Sequence, residues 1–531
     1  MEKDTVREDG NAPVEVREIR DEKVRKLREM GILPYAYRFD RTHEIAQALE
    51  QFDKLVADKA IVRVAGRLLS RREHGKTCFG HIADGSGKIQ LYVRKDMLTA
   101  ATGANRQDAK SAKDPELQTA DSGQRPAASE SSAAAGMTSF DIFLMADIGD
   151  FIGVAGELML TKTGEKTVMV KELEFLSKSF RQLPEKFHGL KDVEMRYRQR
   201  YVDLIANPDV KSIFTRRAKI ISLIRRYLDD KGFVEVETPV LQPVYGGAAA
   251  QPFTTRYDAL GQEMFLRISD ELYLKRLIVG GMDKVYEFGR DFRNEGLDRT
   301  HNPEFTQLEL YEAYRDYNDM MALVEDVFRM LARELYGKTE ITYEGKTLDF
   351  GKPWHRLEFV PALTEKLEVN PLGLGIDSLR RLCARFGIEA GETVSKGKLL
   401  DKLFSELIQD HLVEPTFVMN HPRITTPLAK QHRDNPELVE RFEPVVCGME
   451  LGNAFSELND PAEQSARFKE LMAANEEFAT FDADYVTALE YGMPPCGGLG
   501  IGIDRLTMLF TDHNSIREVI LFPQLRAVSS E

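Results

Sequence analysis

The sequence predicts an α+β protein in two parts: a small closed five-stranded β-barrel, then a larger domain built on an antiparallel sheet. Three observations predict it. Between Ile61 and Leu176, five short strand-like runs are separated by turns, several of them glycine turns, as in a closed barrel. From Lys211 onward, helical and strand-like segments mix without a βαβ repeat, which points to an antiparallel sheet. Inside that second part, strand-period runs on either side of the turn-rich segment Gly296 to Pro303 read as a hairpin.

Residues 1–13 read as a flexible tail and 14–60 as a helical segment. Apolar side chains recur at helical intervals among many charges over 14–30, and Gly31 and Pro34 end that helix. The barrel spans 61–177. Its first three strands read from Ile61, Lys76 and Lys88, with turns at His74-Gly75 and Gly85-Ser86-Gly87; the last two read at Phe151–Thr161 and Lys166–Leu176. This count suggests a barrel of the oligonucleotide-binding type (OB-fold). Between Ala101 and Thr138 only Leu117 and Met137 are large and apolar. Such a stretch cannot offset its ordering entropy, so 101–138 is expected to be a disordered insertion. A linker follows over 178–210, and the α+β domain occupies 211–531.

Composition narrows the classes. A chain of 531 residues, 42% of them hydrophobic, can bury large cores. No apolar run reaches the length of a membrane span, and 141–160 is interrupted by Asp147 and Asp150. Met1 to Val6 is charged and lacks an export core. Four scattered cysteines form no C-x-x-C pair. That argues against a disulfide framework and a structural zinc, and fits a cytoplasmic location. The net charge of −14 is awkward for nucleic-acid binding but leaves room for a local basic surface. The basic stretch from Arg196 to Arg226 reads as a solvated helix face.

The hairpin carries chemistry. At strand period Arg293 and Glu295 share one face, as do Phe305, Gln307, Glu309 and Tyr311 on the second strand. A guanidinium, aromatic rings and acids in one concavity suit a nucleotide's phosphate, base and amino groups. An amphipathic hairpin with a solvated polar face would show the same pattern. Two familiar nucleotide signatures fail: Gly75-Lys76-Thr77 has Ser70 where a P-loop needs glycine, and the glycines from Gly497 to Gly502 lack dinucleotide-fold spacing. Those glycines instead let a strand approach a helix closely and aim Arg505 from the junction.

A second acid cluster lies at 443–457. Glu443 and Glu450 are expected on two strands of a hairpin turned at Gly448, while Asn453, Phe455 and Glu457 alternate on one face. A bulge at Leu451-Gly452 would bring Glu450 onto that face. Converging carboxylates repel unless a cation neutralises them, and Mg²⁺ bridging nucleotide phosphates would do so. An exposed acidic hairpin tip is the plainer alternative.

Three stretches resemble the motifs of the class II aminoacyl-tRNA synthetases. Lys231-Gly232-Phe233-Val234-Glu235-Val236-Glu237-Thr238-Pro239 looks like motif 1. Phe292-Arg293-Asn294-Glu295 with His301 and Phe305 looks like motif 2, and Leu499-Gly500-Ile501-Gly502-Ile503-Asp504-Arg505 like motif 3. All three in order behind a five-strand barrel are most similar to lysyl-tRNA synthetases of bacterial type (subclass IIb). The similarity extends through Leu266 to Arg276, His301 to Phe305 and Glu450 to Asp460. It covers nearly the whole chain except 1–13 and 101–138.

The resemblance implies a class II catalytic domain, with helices flanking its antiparallel sheet, that ligates L-lysine to tRNA(Lys) through a lysyl-adenylate, using ATP and Mg²⁺. Arg293 would bridge the amino-acid carboxylate and the α-phosphate, with Arg505 as its catalytic partner. Glu295 would take the adenine amino group and Phe305 would stack on the ring. Arg505 would close over the ring's other face or the γ-phosphate, and His301 with Asn302 would meet the outer phosphates. Glu443 and Glu450 match magnesium ligands. Glu271 and Glu309 would hold the α-amino group and Glu457 and Tyr311 the ε-ammonium, with Asn453 and Phe455 lining the pocket. Arg72, Phe79 and Gln90 match anticodon-reading positions, and Pro239 a homodimer interface.

Gln251 departs from the pattern, since the family usually carries arginine in that segment, and it is given no role. Two alternatives stand beside the lysine reading. One is a catalytically inactive RNA-binding or regulatory relative; the other is an aspartyl- or asparaginyl-tRNA synthetase, which would need a cation where Glu457 stands.

Overall fold

The computed structural model describes residues 14–96, 139–184, 190–391, 394–473 and 480–527. The expected tail at 1–13 and insertion at 101–138 lie outside the described residues. Contacts divide the chain into two compact units, Met1–Gly189 and Leu190–Glu531.

In the first unit, β1 (Ile61–His74), β2 (Thr77–Ala83), β3 (Lys88–Arg94), β4 (Phe151–Leu160) and β5 (Lys166–Ser177) close a barrel in the order β1-β2-β3-β5-β4. Alternation fills it: every second residue of β2 and β3 is buried, so Cys78, Ile82, Ile89, Leu91 and Val93 point inward. Strand β1 bends tightly against β2 at Gly66, where a Cβ would stand 2.5 Å from the Ala83 carbonyl. Helices α1 (Val14–Glu29), α2 (Ile45–Glu50), α3 (Phe52–Ala57) and α4 (Ser139–Met145) accompany the barrel. Leu27, Ile45, Phe52 and Phe143 join its core.

The second unit begins with two short helices, α5 (Val193–Arg198) and α6 (Arg200–Ala206), and the long α7 (Val210–Asp230). Lys211, Arg216, Lys219 and Arg226 form the solvated face expected of the basic stretch, but Arg200 and Arg217 do not. Arg200 is fully buried, paired to Asp203 at 2.6 Å and donating to the carbonyls of Arg517 and Leu521. Arg217 pairs with Asp504 at 2.6 Å. These guanidiniums are internal ties, because each finds an acid or an uncapped carbonyl within reach; charge density alone does not reveal such partners.

Strands β6 (Val234–Glu235), β7 (Leu241–Gln242), β8 (Thr254–Tyr257), β9 (Gln262–Leu266), β10 (Lys284–Phe292), β11 (Glu304–Ala313), β12 (Glu340–Tyr343), β13 (Lys346–Asp349), β14 (His355–Glu358), β15 (Thr416–Met419), β16 (Arg441–Val446), β17 (Met449–Glu450), β18 (Gly452–Ser456) and β19 (Cys496–Gly502) follow. The main sheet runs β14-β15-β16-β18-β19-β11-β10-β6, with β17 paired to β16. It is antiparallel except at the edge pairs β14–β15 and β6–β10, as the sequence leads one to expect.

Helix α8 (Glu271–Val279) precedes β10, and α9 (Tyr317–Tyr336) follows β11. The buried stripe of α9, with Met320, Val324, Val327, Phe328 and Leu331, faces the sheet. Helices α10 (Phe359–Leu367), α11 (Ile376–Arg385) and α12 (Lys396–Leu407) pack around a cluster of their own. Helices α13 (Pro461–Ala473), α14 (Ala483–Glu490), α15 (Ile503–Thr511) and α16 (Ile516–Val519) complete the unit.

Candidate active site

A cleft of about 550 Å³ opens on one face of the main sheet, lined from β11, β18, β19, α8 and α12. Its floor is β19, whose glycines lie between side chains on both neighbouring strands. Gly498 sits opposite Tyr311 on β11 and Phe455 on β18; Gly500 sits opposite Glu309 and Asn453. A Cβ on Gly498 would overlap Oε1 of Glu457 and stand 2.5 Å from the Tyr311 ring. The alternating glycines therefore make room for pocket acids, not for a helix as expected. Gly497, on the opposite face, is the one that admits Met320 of α9.

One end of the cleft gathers three buried acids, Glu271, Glu309 and Glu457. Glu309 accepts from the Tyr311 hydroxyl at 3.1 Å and from Gln307. Glu271, at the first turn of α8, lies 2.5 Å from Lys275 Nζ, and that ammonium also pairs with Glu457. Within the protein, Tyr311 bonds Glu309, and Lys275 ties Glu271 to Glu457. Strand alternation puts 309 beside 311, and helical i,i+4 spacing puts Lys275 over Glu271. Burial pushes the Glu457 carboxyl up to about 8 despite the pull of Lys275. Burial, then the charge of Glu271, raises Glu309 well above the carboxylate range.

Arg293 lies just past β10, in the hairpin loop, where its amide bonds the Pro303 carbonyl at 2.9 Å. The expected strand face shared by Arg293 and Glu295 is not formed, because the ladder stops at Phe292–Glu304 and Glu295 sits in the exposed turn. The Arg293 guanidinium stacks over Phe305 at 5.0 Å. Across the cleft, Arg505 donates to the Glu450 carbonyl at 2.7 Å and lies 2.9 Å from His301 Nε2. His301 Nδ1 in turn meets Asp298 at 2.7 Å. Asn302 lines the cleft, yet both ends of its amide have backbone partners, Glu304 and Gln524.

The second acid cluster is a hairpin. Cys447 and Gly448, both at positive φ, form its turn, and Val445 pairs with Glu450. Because Phe442 pairs with Ala454, three steps on β16 oppose four along β17–β18, the extra residue of a bulge. Glu443 is bound by Arg441, which also donates to Asn453 at 2.9 Å. Desolvation and then the charge of Glu443 raise the Glu450 carboxyl. Two carboxylates that feel each other's charge suit a cation shared with phosphate oxygens. Among the described residues no group of three or more His, Cys, Asp or Glu is arranged as a metal cage.

Several cleft residues escaped the sequence reading. Arg441 alternates with Glu443, and that i,i+2 pairing was its only signal. Asp401 reaches the cleft from α12, where burial pushes its carboxyl up to about 7 against the pull of Arg441; nothing local distinguishes it from a surface helix acid. Behind Arg293 lies a buried network in which Arg267 meets Glu287 at 2.7 Å and Asp291 at 3.2 Å.

Pro239 is exposed beside exposed Val234, Val240, Leu241 and Val244. Gln251 offers its carbonyl to the Asn294 amide at 2.8 Å. In the barrel unit, Arg72 pairs with Phe79 across β1–β2, and Phe79 meets Tyr92 at 5.0 Å. Phe79 points outward, not into the core. Gln90 donates to Glu165 at 2.6 Å and accepts from Thr167 at 2.7 Å. His81 and Tyr92 share this outer face and were not anticipated.

Comparisons with known proteins agree with this geometry. Residues 192–526 match the family of tRNA synthetases class II (D, K and N), and residues 62–114 match the OB-fold nucleic acid binding domain. The chain is 46% identical over 517 residues to a lysine–tRNA ligase of Carboxydothermus hydrogenoformans, covering 96% of this chain and 98% of that one. It is 47% identical over 519 residues to one from Roseiflexus sp., covering 96% and 99%. It is 45% identical over 522 residues to one from Syntrophomonas wolfei, covering 97% and 98%. The chain belongs to the class II tRNA synthetases of the D, K and N group, with the lysine–tRNA ligases among its full-length relatives.

Proposed function

We infer that the protein joins lysine to tRNA(Lys) at the expense of ATP. The observation that carries the substrate assignment is the set of three buried acids, Glu271, Glu309 and Glu457, of which Glu271 and Glu457 share one internal cation. Buried acids penalise an amino acid that brings no distal ammonium, since they would be left unpaired. An aspartate or asparagine pocket would need a cation or amide where Glu457 stands.

In this reading lysine lies over the β19 glycines with its carboxylate toward Arg293. The carboxylate oxygen attacks the α-phosphorus of ATP, forming lysyl-adenylate and releasing pyrophosphate. A terminal ribose hydroxyl of tRNA then attacks the acyl carbon and AMP leaves. Arg293 and Arg505 stabilise charge developing on the phosphates, and no side chain acts as nucleophile. Phe305 and Glu295 hold adenine, His301 meets the outer phosphates, and Asn302 shapes the loop. Glu443 and Glu450 would hold Mg²⁺, which supplies charge neutralisation at the phosphates.

The outer barrel face with Arg72, Phe79 and Gln90 is assigned to anticodon bases, which stack on exposed aromatic rings. The exposed apolar strip around Pro239 is assigned to a homodimer interface. Among the described residues no helix is long and apolar enough to cross a membrane, and four free cysteines fit a reducing cytoplasm. Aminoacylation of unfractionated tRNA with labelled lysine, aspartate and asparagine tests the assignment. Charging with lysine alone is expected; charging with aspartate or asparagine would overturn it.

A further inference from the structure

The amino-acid pocket holds a positive charge of its own. Lys275, on α8, is fully buried. Its ammonium lies 2.5 Å from Glu271 Oε1 and is paired with Glu457 Oε2. The rings of Tyr311 and Phe455 flank it at 5.9 and 6.0 Å. The other titratable groups facing this cluster are Glu309 on β11, Tyr485 on α14 and Cys496 on β19; beyond Glu309 lie Asp270 and Asp291, whose charge is met by Arg267.

Packing alone does not account for this lysine. A buried ion pair is often no more stabilising than apolar side chains of similar volume, because desolvation offsets the attraction. Counting charges suggests another role. Glu271, Glu309 and Glu457, when ionised, carry three negative charges, and Lys275 returns one positive. Two negative charges remain, and lysine brings two ammonium groups.

We propose that Lys275 is a specificity-determining positioning residue that ties Glu271 to Glu457 and cancels one of three acid charges, leaving the two that match substrate lysine. The proposal rests on the lysine reading of the pocket. Without Lys275, three acids would face two substrate cations, and one acid would keep its proton. A protonated carboxyl at Glu457 still accepts through its carbonyl oxygen but no longer carries the charge that pairs with an ammonium.

The test is lysine-dependent ATP–pyrophosphate exchange between pH 6 and 9 in wild type, Lys275→Met, Lys275→Arg and the double variant Lys275→Met/Glu271→Gln. Exchange by the wild type with another amino acid would refute the lysine reading itself, separately from the role of Lys275. For Lys275→Met, lysine KM rises about tenfold or more at pH 7 while ATP KM holds, and the rise of kcat/KM with pH moves up by about one unit. The double variant restores the charge count and brings that limb back toward wild type, although it binds lysine more weakly. Lys275→Arg keeps the charge, so its limb stays in place whatever its KM. An unshifted limb in Lys275→Met, or kcat and both KM values failing together, would overturn the proposal. Should Lys275→Met not fold, a shifted limb in Lys275→Arg would overturn it equally.

Discussion

Gly500 and Glu309 face each other across the β11–β19 pair, and a Cβ on Gly500 would stand 2.5 Å from Oε1 of Glu309. The glycine run is thus the floor of the cleft, kept bare so that acids from β11 and the end of β18 can lie over it. Gly500→Ala is expected to displace Glu309 and Gln307, lowering kcat/KM for lysine by about 100-fold, an effect typical of small displacements of positioning groups. Its melting temperature should change little. Unchanged lysine kinetics would show that Glu309 does not contact the substrate.

The raised acids give a pH dependence with a definite sign. Burial pushes the Glu457 carboxyl up to about 8, and Glu309 is raised as well. Lysine pairs with the ionised forms, so binding expels protons below that pH. Lysine KM should fall as pH rises from 6 to 8, by at most about tenfold per unit for each proton, and level off above. Calorimetry at pH 7 in two buffers of different ionisation heat should report proton release. A flat KM over this range would mean the acids are already ionised.

The charge of Glu443 acts on Glu450, and Arg505, Arg441 and Arg293 offset it. Glu450→Gln should raise the Mg²⁺ concentration for half-maximal exchange by about tenfold or more, the range seen when metal-site partners are lost. The KM for lysine should hold. An unchanged Mg²⁺ requirement would remove these acids from metal binding.

Much of the fold was legible because it rests on short-range patterning. Alternation and turns marked the barrel strands, and the bulge between Glu450 and Gly452 followed from glycine placement. What was not legible depended on partners distant in sequence. Arg200 and Arg217 look like surface charge until Asp203, Asp504 and the C-terminal carbonyls are placed beside them. Lys275 lies on α8, and its partner Glu457 comes from just past β18, far away in sequence. Glu295 and Arg293 misled in the other direction, because residues at strand period continue past the point where the ladder ends.

The outer face of the barrel separates from the catalytic chemistry in a simple way. Phe79→Ala removes one stacking ring beside Tyr92. It should raise KM for tRNA by about tenfold, from about 1–3 kcal/mol of stacking per base. Amino-acid activation without tRNA should be untouched. Equal loss in both assays would point to barrel destabilisation.

The most direct measurement is ATP–pyrophosphate exchange by the purified protein without tRNA, with each standard amino acid in turn. Exchange with lysine alone is predicted from the three acids and single cation of the pocket. Exchange with aspartate or asparagine, or with none, would contradict it.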